Sequence, residues 1–361
     1  MESCTKGTGK NHRTYPFHLI SDYVYQYNGI TEDTPYEIEE MDAEQLILPE
    51  RLDLAIKYYF IQCKEENRNT TYATELYKQH IDAFSDGMYL EPGNKEKDTF
   101  QKYMDSFCEL IEEFKTNGYQ SAISLIPVGK DNVLLDGAHR VACAAYFRQK
   151  VKVIRFPHLS VCYDYHFFRK RLLEEEYLAF AVRKYCELKS NCFIAFIWPK
   201  AYKDRKLVIR KLQERGSKFL YNRKMKLTYE QFWNLIYHIY QEEKWIGNVK
   251  NNFRGVGLKA SQCFEHMGMM ELLVFEGSID VRQLKEDIRK EIGCGKSSLH
   301  MTDHNKETVE ALSLIMELEN KKIDRESKQK KNYSKRLIRK KVRNLYTSTV
   351  IFVKKILRIP V

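Results

Sequence analysis

Three side chains that could build a phosphate site lie close together in the segment Asp136-Gly-Ala-His-Arg140. Arg140 offers a planar pair of N–H donors that matches the oxygens of a phosphate group. His139 offers a further donor, whose charge is expected to change near neutral pH. Asp136 could hold a metal ion or orient His139. These residue types at this spacing predict a phosphate-binding site with Asp136, His139 and Arg140 as catalytic candidates.

The elements around this segment predict how its side chains are positioned. Residues 132–135 form a short apolar run typical of a buried strand, and residues 141–147 have the pattern of a helix. The motif then lies on the first turn of that helix, where unpaired backbone N–H groups and the helix dipole attract anions. We therefore expect Gly137 and Ala138 to bind phosphate through their amides. An ordinary exposed turn is the alternative, because Asp-Gly is a common turn dipeptide.

The stretch from residue 100 to 156 resembles the ParB/sulfiredoxin fold. The resemblance is carried by the order of elements: a helix ending at Gly118, a strand over 123–128, a G-x-H-R motif at Gly137–Arg140, a helix over 141–149 and a strand over 151–156. It implies that residues 46–157 form a ParB/sulfiredoxin-like domain with an α/β (α+β) fold.

Members of this fold use the motif in different ways. Sulfiredoxins carry a reactive cysteine inside it, whereas this chain has Ala138 there, so peroxiredoxin repair is not expected. ParB partition proteins bind a nucleoside triphosphate and carry a helix-turn-helix DNA-binding region directly afterwards. Free-serine kinases use a motif similar to D-G-x-H-R to transfer a phosphoryl group to a hydroxyl. Residues 136–140 are closest to the kinase version.

The kinase-like resemblance implies ATP or ADP with Mg²⁺ as cofactors and Asp136 as the metal ligand. It also implies an upstream carboxylate that accepts the hydroxyl proton. Glu91 is the first candidate, because it lies in a loop and is followed by Lys95, and Asp53 is the second. Either residue could instead be a surface carboxylate without a catalytic role.

A second group of candidate residues lies between residues 253 and 308. Glycine clusters occur at 253–260 and 293–298, but neither has the G-x4-G-K-[ST] spacing of a Walker loop. Cationic and polar side chains nearby suit a nucleotide or sugar-phosphate site: Lys259, Lys296, His300 and Asp303, with Glu307. A plain helix cap at Thr302 or Asp303 is the alternative. The region is similar to uncharacterised bacterial proteins of surface-polysaccharide gene clusters.

Length and composition favour a folded intracellular protein. The chain has 361 residues, 43% hydrophobic and 13% aromatic, which is enough for two domains with their own cores. Its nine cysteines contain no C-x-x-C pair, and Cys192 and Cys263 lie in runs typical of buried strands. We therefore expect a reducing compartment and no structural zinc. Residues 1–13 show no signal peptide, which indicates a cytoplasmic location.

Positive charge is concentrated at the C-terminus. The formal net charge is +11, but residues 321–361 contain 15 Lys and Arg against 2 Asp and Glu, whereas residues 1–320 contain 45 against 47. Residues 333–361 have a helical pattern with an apolar stripe and basic flanks, and their uncharged run is too short to span a bilayer. We expect this tail to lie on an anionic membrane surface at the inner face. Nucleic acid, or docking on the protein itself, is the alternative.

These patterns predict a mixed α/β chain in four parts: an N-terminal extension (1–45), a ParB/sulfiredoxin-like domain (46–157), a second, smaller α/β domain (158–320) and a basic amphipathic tail (321–361). The predicted function is a phosphotransferase that moves a phosphoryl group from a nucleotide to a hydroxyl of a sugar, glycolipid or small molecule in surface-polysaccharide biosynthesis. The alternative is a ParB-like, nucleotide-gated DNA-binding protein or a nuclease. Residues 1–320 are not basic, which counts against DNA binding.

Overall fold

Two small β-sheets with helices packed on them form the framework of the chain. The computed structural model describes residues 16–31, 33–90 and 97–323. The chain divides into two units, Met1–Phe168 and Arg169–Val361. Each unit contains one sheet, so the predicted mixed α/β class is confirmed.

The first unit has a three-stranded sheet in the order β1-β3-β2, which makes β1 an edge strand. β1 runs antiparallel to β3, whereas β2 runs parallel to it. The elements are α1 (Asp22–Asn28), β1 (Glu37–Asp42), α2 (Asp53–Glu65), α3 (Thr71–Phe84), α4 (Phe100–Asn117), β2 (Ile126–Val128), α5 (Ala138–Tyr146), β3 (Lys150–Arg155) and α6 (Tyr165–Lys170). α5 connects the motif to β3, and its small buried residues 141–145 allow α2 to pack closely against it.

The first unit begins earlier and ends later than the sequence predicts. The predicted extension 1–45 contains β1, which pairs with β3 along its whole length, from Glu37 opposite Arg155 to Asp42 opposite Lys150. Residues 17–30 add side chains to the core beside Phe156. The division between units lies after residue 168 rather than after 157. The sequence did not predict β1 because it is an acidic edge strand with little alternation of apolar and polar residues.

The apolar run before the motif is buried but is not a strand. Val133, Leu134 and Leu135 are almost fully covered, yet the run makes only an isolated bridge, from Leu134 to Val128. A tight turn at Lys130–Asn132 reverses the chain, so the amide of Leu135 donates to the carbonyl of Pro127 at 3.0 Å. β2 is correspondingly shorter than predicted, Ile126–Val128 rather than 123–128. The predicted strand of residues 132–135 is therefore wrong, although its burial is confirmed.

The second unit has a four-stranded antiparallel sheet in the order β5-β6-β4-β7. Its elements are α7 (Glu175–Glu187), β4 (Cys192–Ile197), α8 (Arg205–Glu214), β5 (Lys218–Lys226), α9 (Tyr229–Ile239), α10 (Arg254–Cys263), β6 (Met269–Glu276), α11 (Val281–Ile292), β7 (Leu299–Met301) and α12 (Asn305–Ile323). One face of the sheet packs on α8 and α11 through a core that includes Ile197, Leu273 and Phe275. Among the described residues, no helix is long and apolar enough to cross a membrane.

The glycine cluster of residues 253–260 forms a helix, not the approach to a strand. Gly255 lies in α10, where a Cβ atom would come within 1.9 Å of the Trp245 carbonyl oxygen. Its role is therefore close packing of two backbone segments rather than phosphate binding. Cys263 ends α10 and is buried there, so its predicted place in a strand is wrong. Cys192 does lie in a strand, β4.

Candidate functional site

The motif turn (Asp136–Arg140) joins the buried run to α5 through a left-handed glycine. Gly137 has φ +85° and is the N-cap of α5, and no side chain of the described residues caps this helix end. His139 and Arg140 therefore lie on the first helical turn, as the sequence predicts. The first-turn amides of a helix have no acceptor within the helix. This end of α5 has the electrostatic character of an anion site.

Arg140 is folded back over the start of its own helix. A Cβ atom at Gly137 would lie 2.7 Å from Nη2 of Arg140, which places the guanidinium directly over the glycine. Nη1 donates to Oγ of Ser124, and Nη2 lies 3.5 Å from Oδ2 of Asp136. The Asp136 carboxylate also accepts from Oγ of Ser21 at 3.0 Å. The guanidinium is thus held beside the first-turn amides, with 23% of its side chain exposed.

His139 lies on the inner side of the motif turn. Its Nε2 atom is 2.8 Å from the Tyr77 hydroxyl of α3, and its ring meets the Phe107 ring of α4 edge-on at 4.7 Å. Burial, and then the positive charge of Lys57, holds the pKa of His139 well below its usual value. The expected change of charge near neutral pH is therefore wrong, because the imidazole is already neutral there.

Four buried polar residues, here called the buried network (Arg51, Asp53, Lys57 and His80), lie beside the motif turn. Arg51 donates two hydrogen bonds of 2.9 Å, from Nε and Nη2, to the Asp53 carboxylate. Its remaining nitrogen, Nη1, donates to the carbonyl of Leu134 at 2.6 Å. Lys57 donates to Asp53 at 2.8 Å and lies 3.1 Å from Nε2 of His80.

The protonation states in the buried network follow from these contacts. Burial alone would raise the pKa of Asp53, but Arg51 and Lys57 together hold it well below its usual value. Burial, and then Lys57, lowers the pKa of His80 to about 3. Near neutral pH Asp53 is therefore ionised and His80 is neutral.

Of the two residues predicted as the catalytic base, Asp53 and Glu91, the structure describes only Asp53. Asp53 is fully buried, and both of its carboxylate oxygens already accept from Arg51 or Lys57. It cannot reach a substrate hydroxyl in this arrangement, so its predicted role as base is wrong. Glu91 lies outside the described residues.

A metal site of several ligands is not formed by the part of the chain that the structure describes, because no group of three His, Cys, Asp or Glu residues comes close enough to hold an ion. Asp136, the predicted ligand, is a single carboxylate that already accepts from Ser21 and Arg140. Mg²⁺ in phosphoryl-transfer sites is often held by one or two carboxylates plus the substrate phosphates. Asp136 therefore suits only a magnesium ion that the nucleotide itself carries.

The candidate residues of the second unit are brought together along one chain of contacts. Nζ of Lys259 donates to the backbone carbonyl of Lys296 at 2.6 Å and lies over the Tyr240 ring, which contacts His300 at 5.1 Å between centroids. Lys296 itself is exposed and takes part through its backbone. Burial lowers the pKa of Lys259.

His300 and Asp303 in this group already have partners. Nε2 of His300 is 3.1 Å from Oε1 of Glu307, and the imidazole stacks on Trp198 with planes 14° apart. The Asp303 carboxylate accepts from Lys285 at 2.6 Å, while its amide donates to Glu307 at 2.7 Å. The side chain that caps α12 is that of His304, whose Nδ1 accepts from the amide of Glu307 at 3.2 Å, so the predicted cap at Thr302 or Asp303 is one or two residues too early.

The residues that support the motif turn from other helices were not predicted from the sequence. Arg51, Lys57, Tyr77 and His80 come from the start of α2, from α2 itself and from α3, far from the motif along the chain. One signal was present: α2 is buried on nearly every side through residues 53–57, which leaves Asp53 and Lys57 no exposed face. Charged residues at such positions require buried partners.

The chain matches no protein-family model and no curated protein sequence. The relation to the ParB/sulfiredoxin fold accordingly stays a prediction from the motif and the order of elements. The function is inferred from the geometry of the motif turn and its supporting residues.

Proposed function

We propose that the chain is a nucleotide-dependent phosphotransferase of ParB/sulfiredoxin-like fold whose phosphate site is the motif turn. The observation that carries this proposal is the position of Arg140, whose guanidinium lies over Gly137 beside the uncapped first turn of α5. A cationic fork and unpaired amides at one point form a favourable site for a dianionic phosphate group.

Each residue of the motif turn has a role in this proposal. Arg140 and the amides of the first turn bind the transferred phosphate. His139, neutral and held by Tyr77, adds a hydrogen bond without charge. Asp136 orients Arg140 and offers its carboxylate to the magnesium ion of the nucleotide. Phosphoryl transfer depends mainly on alignment and charge stabilisation, so a site of this size is sufficient.

The proposed reaction moves the terminal phosphoryl group of ATP, or of ADP, to an acceptor hydroxyl. The bond from the leaving nucleotide oxygen to phosphorus breaks, a new bond forms to the acceptor oxygen, and the hydroxyl proton passes to a carboxylate. Since Asp53 is already saturated by Arg51 and Lys57, Glu91 is the proposed acceptor of that proton. A sugar, glycolipid or other small hydroxyl compound is the proposed substrate, and residues 333–361 would hold the protein at an anionic membrane surface.

The experiment is a comparison of the wild-type chain with Arg140→Ala and Arg155→Ala. Arg155 is the matched control, because it lies in the same unit, is 20% exposed and pairs with Glu37. Binding of ATP and ADP with Mg²⁺ is measured by calorimetry, and turnover by release of labelled phosphate. Loss of a charged hydrogen-bond donor should weaken nucleotide binding by roughly 10- to 100-fold in Arg140→Ala and leave Arg155→Ala unchanged. A folded wild-type chain that neither binds nor turns over either nucleotide refutes the proposal.

A further inference from the structure

The motif turn is tied to the interior on both of its sides. On the side before the turn, the carbonyl of Leu134 accepts from Arg51 at 2.6 Å. On the side after it, Nε2 of His139 meets the Tyr77 hydroxyl at 2.8 Å. The backbone from Leu134 to His139 therefore has a fixed contact at each end, and the segment that would bind phosphate lies between them.

The two contacts belong to one hydrogen-bonded system. Arg51 is joined to Asp53, Asp53 to Lys57, and Lys57 to His80. Nδ1 of His80 is 3.0 Å from the backbone carbonyl of Tyr77, the residue whose hydroxyl meets His139. Since His80 is neutral and its Nε2 faces the Lys57 ammonium, its proton is on Nδ1 and donates to that carbonyl.

Burying charged groups in this way destabilises the folded protein unless each group has its hydrogen-bond partners. Each ionised group loses its hydration on burial, and the loss is offset only when good geometry satisfies its donors and acceptors. All the donor nitrogens of Arg51 have an acceptor: Nε and Nη2 reach Asp53, and Nη1 reaches Leu134. A shift of Leu134 would leave a buried cationic donor unsatisfied, so the network resists movement of the run that leads into the motif turn.

We propose that Arg51 is the positioning residue of the phosphate site. Arg51 is fixed by its hydrogen bonds to Asp53 and holds the backbone at Leu134. Tyr77, at the other end of the same network, holds His139. The two contacts together fix the turn at Gly137, so that Arg140 and the first-turn amides point toward the phosphate. Arg51 touches no ligand in this assignment, which rests on the proposed function.

The test is Arg51→Lys, which keeps the charge but cannot make all three contacts. Arg289→Lys is the matched control, since Arg289 is also a buried arginine that joins a backbone carbonyl, of Leu299 at 3.0 Å, to a carboxylate, of Glu286 at 2.6 Å. Two quantities are measured on the full chain: the affinity for inorganic phosphate and for ATP with Mg²⁺, by calorimetry, and hydrogen exchange by mass spectrometry in peptides covering residues 133–141.

Arg51→Lys should bind phosphate and nucleotide about tenfold more weakly or worse, because a shifted turn weakens a charged hydrogen bond to the anion, and about 1.4 kcal/mol of such a bond corresponds to tenfold in affinity. It should also speed exchange at the amides of Leu135 and Val141, which donate to Pro127 and Gly137 at 3.0 Å each. Arg289→Lys should change neither quantity. If Arg51→Lys proves too unstable, Tyr77→Phe loosens the other end, with Tyr185→Phe as its control, because the Tyr185 hydroxyl also makes a buried contact, with Glu276 at 2.7 Å.

Exchange in residues 133–141 at the wild-type rate in a folded Arg51→Lys variant would overturn the proposal, and so would its unchanged affinity for phosphate. The same two results in Tyr77→Phe would overturn it where Arg51→Lys does not fold. Absence of phosphate and nucleotide binding by the wild-type chain would instead refute the proposed function. The exchange rates do not depend on a ligand, so they decide separately whether Arg51 holds the turn.

Discussion

Replacing Gly137 with alanine imposes two costs that can be measured separately. The first is conformational: at φ +85° a side chain occupies the left-handed region, which costs a residue with a Cβ atom about 1–2 kcal/mol. The second is local displacement, because the new Cβ would lie 2.7 Å from Nη2 of Arg140. The far end of a flexible side chain can move. The guanidinium of Arg140 should therefore move away from Ser124 and Asp136, and the turn itself should stay folded.

Gly29 provides the matched control within the same unit. It ends α1 with φ +64°, and a Cβ atom there meets nothing within 4 Å. Gly29→Ala should therefore lose about 1–2 kcal/mol of unfolding free energy from the backbone term alone. Gly137→Ala should lose a similar amount and, in addition, bind phosphate about tenfold more weakly, which corresponds to about 1.4 kcal/mol.

The assay pairs urea denaturation with calorimetric titration of phosphate for both variants. Equal phosphate affinity in Gly137→Ala, Gly29→Ala and the wild-type chain would show that the guanidinium is not needed over Gly137. That result would refute the proposed phosphate site, which depends on the position of Arg140 over Gly137.

Three further predictions concern the buried network and the tail. Asp53→Asn should lower the free energy of unfolding by about 3–5 kcal/mol, because it leaves Arg51 and Lys57 buried without their carboxylate. Urea denaturation measures this loss. A similar loss in Asp303→Asn, whose ion pair with Lys285 is more exposed, would contradict the prediction. The folded-state pKa of His80 is about 3, below its usual 6.5, so stability should be greatest above pH 6.5 and fall as the pH is lowered toward 3, by about 1 kcal/mol for the first pH unit. His80→Gln should flatten this slope in denaturation curves taken at several pH values. Deleting residues 333–361 should abolish sedimentation with phosphatidylserine vesicles but not nucleotide binding; vesicle binding that persists would contradict it.

Local patterns predicted the helix ends near the motif better than the strands. The first-turn positions of His139 and Arg140 and the end of α4 at Gly118 follow from turn residues and apolar spacing, which act over a few residues. The place of Cys192 in a strand, β4, was predicted for the same reason.

The remaining features depend on contacts between distant parts of the chain. The depressed pKa of His139 arises from burial and from Lys57 on α2, which no local pattern shows. The pairing of β1 with β3 joins residue 37 to residue 155. Cys263 was misassigned to a strand because Gly255 and Gly257 weaken the helical pattern of α10, whereas Gly255 is required where α10 meets the Trp245 backbone.

The acidic composition of β1 has a consequence for association between copies of the chain. β1 is the edge strand of the first sheet, and its six residues include Glu37, Glu39, Glu40 and Asp42. A β1 strand of a second copy that paired along this edge would bring these carboxylates opposite one another, and like charges directly opposite each other on paired strands are destabilising. Arg155 and Lys150 of β3 pair with Glu37, Glu39 and Glu40 and reduce this repulsion, whereas no ion pair with Asp42 is formed among the described residues. The same residues that concealed the strand from pattern analysis thus protect its unpaired backbone groups against aggregation by strand addition.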